Sequence, residues 1–436
     1  MSKKSAPNTK KTASLIKVKR VGDITEYRLT PNDLRVLYIE RKGSGIVTSN
    51  IVYNVGSRDE IQGETGVAHM LEHMLFKPTT FDIARKTESA ATLFERETGA
   101  TLNANTWKDR TTYYFAYPTE HFDRALRIET ERMRNVVLTD KELMPERTNV
   151  LSEHDMYAGD EQFSLAVEMV ATAFLSHPYG HETIGFRNDI ASYTAEKLQR
   201  FYDKFYRPNN ATLTVIGDIS ENEMKSGVLK NFSHLEKGPD LGSRTFEKEH
   251  VQEGTRTITI ERKSNTNILA IGVKHGGFPS TSWHETMITF DLLGGGKDSI
   301  LYKKLVDSGK ATSIDIVLEP TKDPNLGIIF ITLAPTETHE KIERLVNDIV
   351  MSLTKKDITP YLKKTIAKVL TSEVLGRENS LSITAELVEY VSAGAWEKFY
   401  ETEKILKSIT AERVYIHSQN LFKKQNMTIG YFIGTK

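Results

Sequence analysis

Gly66-Val67-Ala68-His69-Met70-Leu71-Glu72-His73-Met74-Leu75-Phe76 is an apolar run interrupted by three ionisable side chains. Val67, Met70, Leu71, Met74 and Leu75 recur at helical spacing, which predicts one short helix with a buried stripe. His69 and His73 are four apart and so stand one above the other on one face. Glu72 is three residues from His69 and adjacent to His73, close enough to that face to take a proton from a water held there. Two imidazoles at this spacing suit a tetrahedral Zn2+ ion, whose other positions go to a third protein group and to solvent. A lone His in an apolar helix is ordinarily a satisfied core residue. Burying two His and a Glu together is costly unless they are paired or bind a metal, so the motif points to zinc. The order His-x-x-Glu-His is that of the inverzincins.

Composition narrows the rest. At 436 residues the chain exceeds what one hydrophobic core normally serves, and two domains are expected. Its 58 basic and 58 acidic residues balance, which removes any general electrostatic case for nucleic acid. There is no cysteine, so zinc ligands must be His and carboxylate. Met1 to Arg20 hold seven Lys or Arg and no acid. Ala13-Ser14-Leu15-Ile16 is too short for the apolar core of a secretory signal. Residues 1–20 therefore read as a disordered basic tail, with a cytoplasmic location as the default. No stretch is long and apolar enough to span a membrane.

Strands are expected at Thr25 to Leu29, Leu34 to Ile39 and Ile46 to Val55, the last leading by a polar loop into the His-x-x-Glu-His helix. Gly99 to Thr106 alternates, and Asp109 to Phe115 is a β-branched and aromatic strand. Pro145-Glu146 reads as a helix start, and Thr212 to Gly217 as a strand. Residues 21–232 make one domain. From 233 to 255 apolar periodicity gives way to Gly, Pro, Lys and Glu, the composition of a linker. Residues 256–436 repeat the element order, with strands at Arg256 to Ile260 and Ile268 to Val273 and helices at Trp283 to Leu293, Ser299 to Val306, His339 to Leu353 and Thr359 to Leu375. A strand at Met427 to Gly434 closes the chain. This half carries no His-x-x-Glu-His, so the metal chemistry belongs to the first.

A third ligand is needed. Glu146 and Glu153 are seven apart on one predicted helix, about two turns, so both face nearly the same way. One could ligate while the other orients a ligand His. His154 and Asp155 are rival candidates, and spacing does not choose among them.

The chain resembles the metallopeptidase family that includes pitrilysin, insulin-degrading enzyme and mitochondrial processing peptidase, and is most similar to bacterial members with two domains per chain. The matching residues are His69-Met70-Leu71-Glu72-His73, Glu146-Arg147 through Glu153, Leu102-Asn103-Ala104, Asp109-Arg110-Thr111, His177-Pro178-Tyr179, Tyr206 to Ala211 and Leu292-Leu293-Gly294-Gly295-Gly296. The resemblance implies that His69, His73 and Glu153 ligate zinc, that Glu72 is the general base, and that Glu146 orients a ligand His. It implies an α+β fold of two pitrilysin-like domains, each an antiparallel sheet with helices on one face. It further implies a zinc endopeptidase whose peptide substrate adds as an extended strand beside Leu102, Asn103 and Ala104.

One departure stands out. Active relatives place an Arg and, seven residues on, a Tyr in the second domain; the aligned positions here are Leu305 and Thr312. A homo- or hetero-oligomer, in which another family member supplies that pair, is therefore expected. The alternatives are a non-catalytic or weakly active structural subunit and a zinc hydrolase acting on something other than peptides. Gly294-Gly295-Gly296 reads as a helix terminator rather than a substrate loop.

Overall fold

Four strands begin the chain: β1 (Ser14–Val21), β2 (Ile24–Thr30), β3 (Leu34–Glu40) and β4 (Ile46–Tyr53). The short helix α1 (Val67–Met74) comes next, then α2 (Thr80–Arg85) and α3 (Ala90–Thr98). The hairpin β5 (Thr101–Thr106) and β6 (Thr111–Pro118) follows. Five helices, α4 (Phe122–Arg134), α5 (Asp140–Gly159), α6 (Glu161–Ala173), α7 (Arg187–Ala191) and α8 (Ala195–Phe205), lead to β7 (Ala211–Gly217) and α9 (Glu221–Phe232). The second half runs β8 (Arg256–Lys263), β9 (Ile268–His275), α10 (Thr281–Gly294), β10 (Ala311–Val317) and β11 (Asn325–Leu333). It ends with α11 (His339–Met351), α12 (Lys355–Gly376), α13 (Ser380–Ser392), α14 (Thr402–Ser408), α15 (Ala411–Leu421) and β12 (Met427–Thr435). This computed structural model describes residues 13–436 apart from 31, 243, 245 and 247.

The fold is α+β, with one sheet in each half. The first sheet has the order β1-β2-β3-β7-β4-β6-β5 and the second β10-β11-β9-β12-β8. The expected all-antiparallel sheets are instead mixed. β7 returns after the long helical excursion to enter parallel to β3, and β12 likewise lies parallel to β8.

Each sheet buries its own helices on one face. On the first, Tyr27, Val36, Val47, Ile51 and Leu213 pack with α1, α4 and α8. The opposite face is covered by a helix from the other half. Leu37, Ile39, Val52 and Ile216 meet Ile383, Leu387 and Val391 of α13. Reciprocally, α6 sets Leu165, Met169 and Val170 against Ile268, Ala270, Ile328 and Phe432 of the second sheet. A Cβ at Gly430 would lie 2.7 Å from Met169 Sδ, so glycine there lets α6 seat closely without displacing that side chain. Beyond the helices on one face of each sheet, the two halves exchange a helix across their opposite faces.

Polar side chains join the halves as well. Arg58 Nη1 donates to Asp109 Oδ1 at 2.5 Å, and Nη2 to Asp323 Oδ2 at 2.6 Å. Tyr179 Oη lies 2.7 and 2.8 Å from the two Asp109 oxygens, and the Lys322 amide donates to Asp109 Oδ2 at 2.8 Å.

Three expectations need correction. Of the residues 1–20 read as a disordered tail, 14–20 lie in β1, paired antiparallel with β2; residues 1–12 lie outside the described residues. The Lys and Arg side chains there are the solvated guard charges of an edge strand, while Leu15 reaches the core. Helix α5 starts at Asp140, where the Thr139 side chain caps it, so Pro145 is inside the helix and not at its start. Ser299 to Val306 ends in a π-type turn over Tyr302–Val306. Among the described residues 233–255 contains no helix or strand, and no helix is long and apolar enough to cross a membrane.

Candidate metal centre

Helix α1 is held as a rigid platform. Val67, Ala68, Met70, Leu71 and Met74 are wholly buried, each large side chain contributing about 1.5–3 kcal/mol. The buried Glu60 carboxylate accepts from the amides of Gly66 at 2.7 Å and Ala68 at 2.9 Å, satisfying donors that a helix start leaves unpaired. Gly66 has φ +85°, and a Cβ there would lie 2.3 Å from the Ile184 carbonyl oxygen. Gly66→Ala is therefore expected to cost at least the ~1–2 kcal/mol of a left-handed non-glycine residue. The cost should show as a lower unfolding temperature together with reduced metal content.

With the apolar stripe buried, the remaining face carries His69, Glu72 and His73. Glu153 of α5 comes down on it: its Oε2 is 3.8 Å from His69 Nε2 and 3.7 Å from His73 Nε2. One atom from each of the three residues falls within 4.8 Å of the others. Ligands of a tetrahedral zinc ion at about 2.1 Å would be about 3.4 Å apart, a few tenths closer than the two separations from Glu153 to the imidazoles. His73 Nδ1 lies 3.3 Å from Glu146 Oε2, so that nitrogen carries the proton and Nε2 presents a lone pair. Burial, with His73 beside it, lowers the His69 pKa to about 3, leaving that ring neutral. Each of the two ring nitrogens thus approaches the carboxylate oxygen without a hydrogen bond to it, an arrangement that suits a cation.

Glu146 is fixed from behind by Lys77 Nζ at 2.5 Å and Asn149 Nδ2 at 3.3 Å. Burial pushes its carboxyl up, but the contacts with Lys77, Asn149 and His73 outweigh that and hold it below the ordinary value. Glu72 is tied to the sheet: Thr106 Oγ1 donates to its Oε2 at 2.5 Å. Burial raises the Glu72 pKa against the pull of that hydrogen bond. Of the rival candidates, Asp155 is taken by Arg187 at 2.8 Å and His154 lies beside Asp155 at 3.5 Å.

Thr106 ends β5, the strand that carries Leu102, Asn103 and Ala104 and forms the free edge of the first sheet. Arg110 braces this strand by donating to Asn105, and its other nitrogens reach Glu389 of α13. Leu305 is buried in the second core and Thr312 sits exposed on β10, so neither provides a charged or phenolic side chain. Gly295 caps the end of α10, as a helix terminator should.

The roles of four residues of the site escape a reading of the sequence, although Arg110 belongs to the motif Asp109-Arg110-Thr111. Lys77 follows His73 by four, a helical step whose signal is hidden because α1 ends at Met74. Glu60, Thr106 and Arg110 act from loops and strands, where spacing carries no such information.

The site and fold together define a metallopeptidase scaffold. Residues 35–186 match Insulinase (Peptidase family M16), and residues 192–370 match the Peptidase M16 inactive domain. The chain belongs to peptidase family M16, the pitrilysin-like metallopeptidases. It is 30% identical over 336 residues to the zinc protease PqqE of Helicobacter pylori, spanning 74% of this chain and 72% of that one. A crystal structure of a protease from Helicobacter pylori superposes with a TM-score of 0.87 at 23% identity, covering 95% of this chain and 100% of that one. The periplasmic protease PqqL of Escherichia coli gives 0.77 at 17% identity, covering 96% of this chain but 48% of that one.

Proposed function

We propose that this protein is a zinc-dependent endopeptidase that cleaves peptides or unfolded polypeptides laid along β5, and that it works with a partner subunit. The observation that carries the reading is the convergence of His69, His73 and Glu153 beside a half-buried Glu72 anchored on the last residue of a free edge strand. In this reading those three residues hold the ion, with Glu146 fixing the His73 ring. Zinc, when bound, supplies Lewis acidity towards a carbonyl and makes nearby water a stronger acid. Glu72 takes the proton of the attacking water and passes it to the leaving amine. The open edge of β5 offers main-chain amides and carbonyls to an extended substrate, which favours peptides over other substrates.

The partner is supported by Leu305 and Thr312, which leave the second half without a charged or phenolic side chain at those two positions. His69→Ala or Glu153→Ala is expected to lower zinc content by elemental analysis, with Glu153→Ala folding normally because the side chain is partly exposed. Unchanged zinc in both would remove the assignment. A non-catalytic subunit is the second reading, favoured by the same missing pair. Zinc at one equivalent without cleavage of a fluorogenic peptide, alone or with a second family member added, would support it over the first.

A further inference from the structure

A cleft of about 550 Å³ opens between α10, α12 and α13, and none of the residues lining it belongs to the metal centre. Its size falls within the roughly 300–1,000 Å³ of small-molecule sites. Its inner wall is aromatic: Phe278 meets Trp283 at 4.9 Å and Tyr390 at 4.7 Å between ring centroids. Three carboxylates, Glu373, Glu386 and Glu389, stand around it. Glu386 is neutralised by Arg377 and Glu389 by Arg110. Glu373 has no ion-pair partner among the described residues; burial, with Glu386 beside it, pushes its carboxyl up to about 7.

A second and independent observation points the same way. His284, also lining the cleft, is 1% exposed. Its Nδ1 lies 2.8 Å from the Ser280 carbonyl oxygen, which can only accept, so Nδ1 carries the hydrogen and Nε2 is an acceptor. That Nε2 is buried with no hydrogen-bond partner among the described residues. Lys368 on the wall does not serve it, being committed to Asp291 at 2.6 Å and the Gly295 carbonyl at 2.7 Å. Aromatic faces, an uncompensated carboxyl and an uncompensated acceptor share one need, a cation that donates hydrogen bonds.

We propose that this cleft binds a small organic ammonium ion with an apolar body, its charge set between Glu373 and the ring faces. Ring faces attract cations, and most strongly when water is excluded. An anion finds no uncommitted cation on the cleft wall among the described residues, since Lys368 is held by Asp291. A hard divalent metal ion wants six or more oxygen ligands where one carboxyl is free.

The test is calorimetric titration and thermal unfolding of the full zinc-loaded chain with phenethylamine, using phenethyl alcohol and hydrocinnamate as neutral and anionic counterparts. The amine should bind and raise the unfolding temperature while the other two do not. Glu373→Gln should weaken the amine on the order of tenfold, the worth of one charge contact of modest strength. Ala385→Phe, at an exposed position on the cleft wall, should abolish binding without changing peptide cleavage. Equal binding of alcohol and amine, no binding of the amine, or amine binding that survives Ala385→Phe would overturn the proposal.

Discussion

Glu72→Gln is expected to reduce peptide cleavage by about 10²–10⁴-fold, the usual share of a general acid–base group, while zinc content stays at the wild-type level. The substitution is nearly isosteric. The Gln oxygen still accepts from Thr106 Oγ1, which holds the side chain against the end of β5. What is lost is the ability to accept a proton and return it. His69, His73 and Glu153 keep their positions, because α1 is fixed by its buried stripe and by Glu60 rather than by Glu72. The pair of measurements matters: zinc by elemental analysis and cleavage of a fluorogenic peptide on the same sample. A Gln variant that cleaves at the wild-type rate would take Glu72 out of the chemistry. One that also loses zinc would show that the carboxylate shapes the ion site, and the roles of Glu72 and Glu153 would have to be redrawn.

How far the sequence reaches can be judged residue by residue. α1 was legible because its apolar spacing and its ionisable motif occupy the same eleven residues. Glu153 was harder. α5 buries only Leu143 and Val150, so its sequence has no stripe to say which side faces the metal. The choice among Glu146, Glu153, His154 and Asp155 needed either the resemblance or the geometry. β5 was legible as an alternating strand, but its place at a free edge follows from β6 pairing with β4 on its other side, a long-range event. The same holds for α6 and α13. Each has an ordinary apolar face, and nothing local says that the face belongs to the other half's sheet. β1 was missed for the opposite reason: its charges resemble those of a solvated tail because an edge strand is solvated too.

The motif Asp109-Arg110-Thr111 shows what the site's surroundings are for, and Asp109→Ala is expected to lower stability by about 3–5 kcal/mol, read by urea unfolding. Arg58 and Asp109 have side chains only 7% and 6% exposed. The Asp109 carboxylate accepts from Arg58, Tyr179 and the Lys322 amide, so one side chain ties three segments, one of them from the second half. Removing it leaves a buried guanidinium with Asp323 alone, and a phenol and an amide without their acceptor. Two controls separate this from mere loss of a charge pair. Tyr179→Phe, which removes a donor to the carboxylate and an acceptor of the Asp323 amide, should cost about 1.5–3 kcal/mol. Asp298→Ala, which breaks an exposed, solvent-screened pair with Lys364, should leave the urea midpoint almost unmoved. Acid should act on the same clamp. The His177 hydrogen bond, with Arg58 adding its charge, lowers the Asp323 pKa from 3.8 to about 2. Its stabilisation is therefore complete above the ordinary value and is lost as pH falls from about 4 to about 2. Asp323→Asn should flatten that part of the stability profile. Because α6 and α13 are exchanged between the halves, Asp109→Ala should still unfold in one transition, at lower urea. Two separate transitions would mean that the clamp, and not the exchanged helices, makes the halves cooperative.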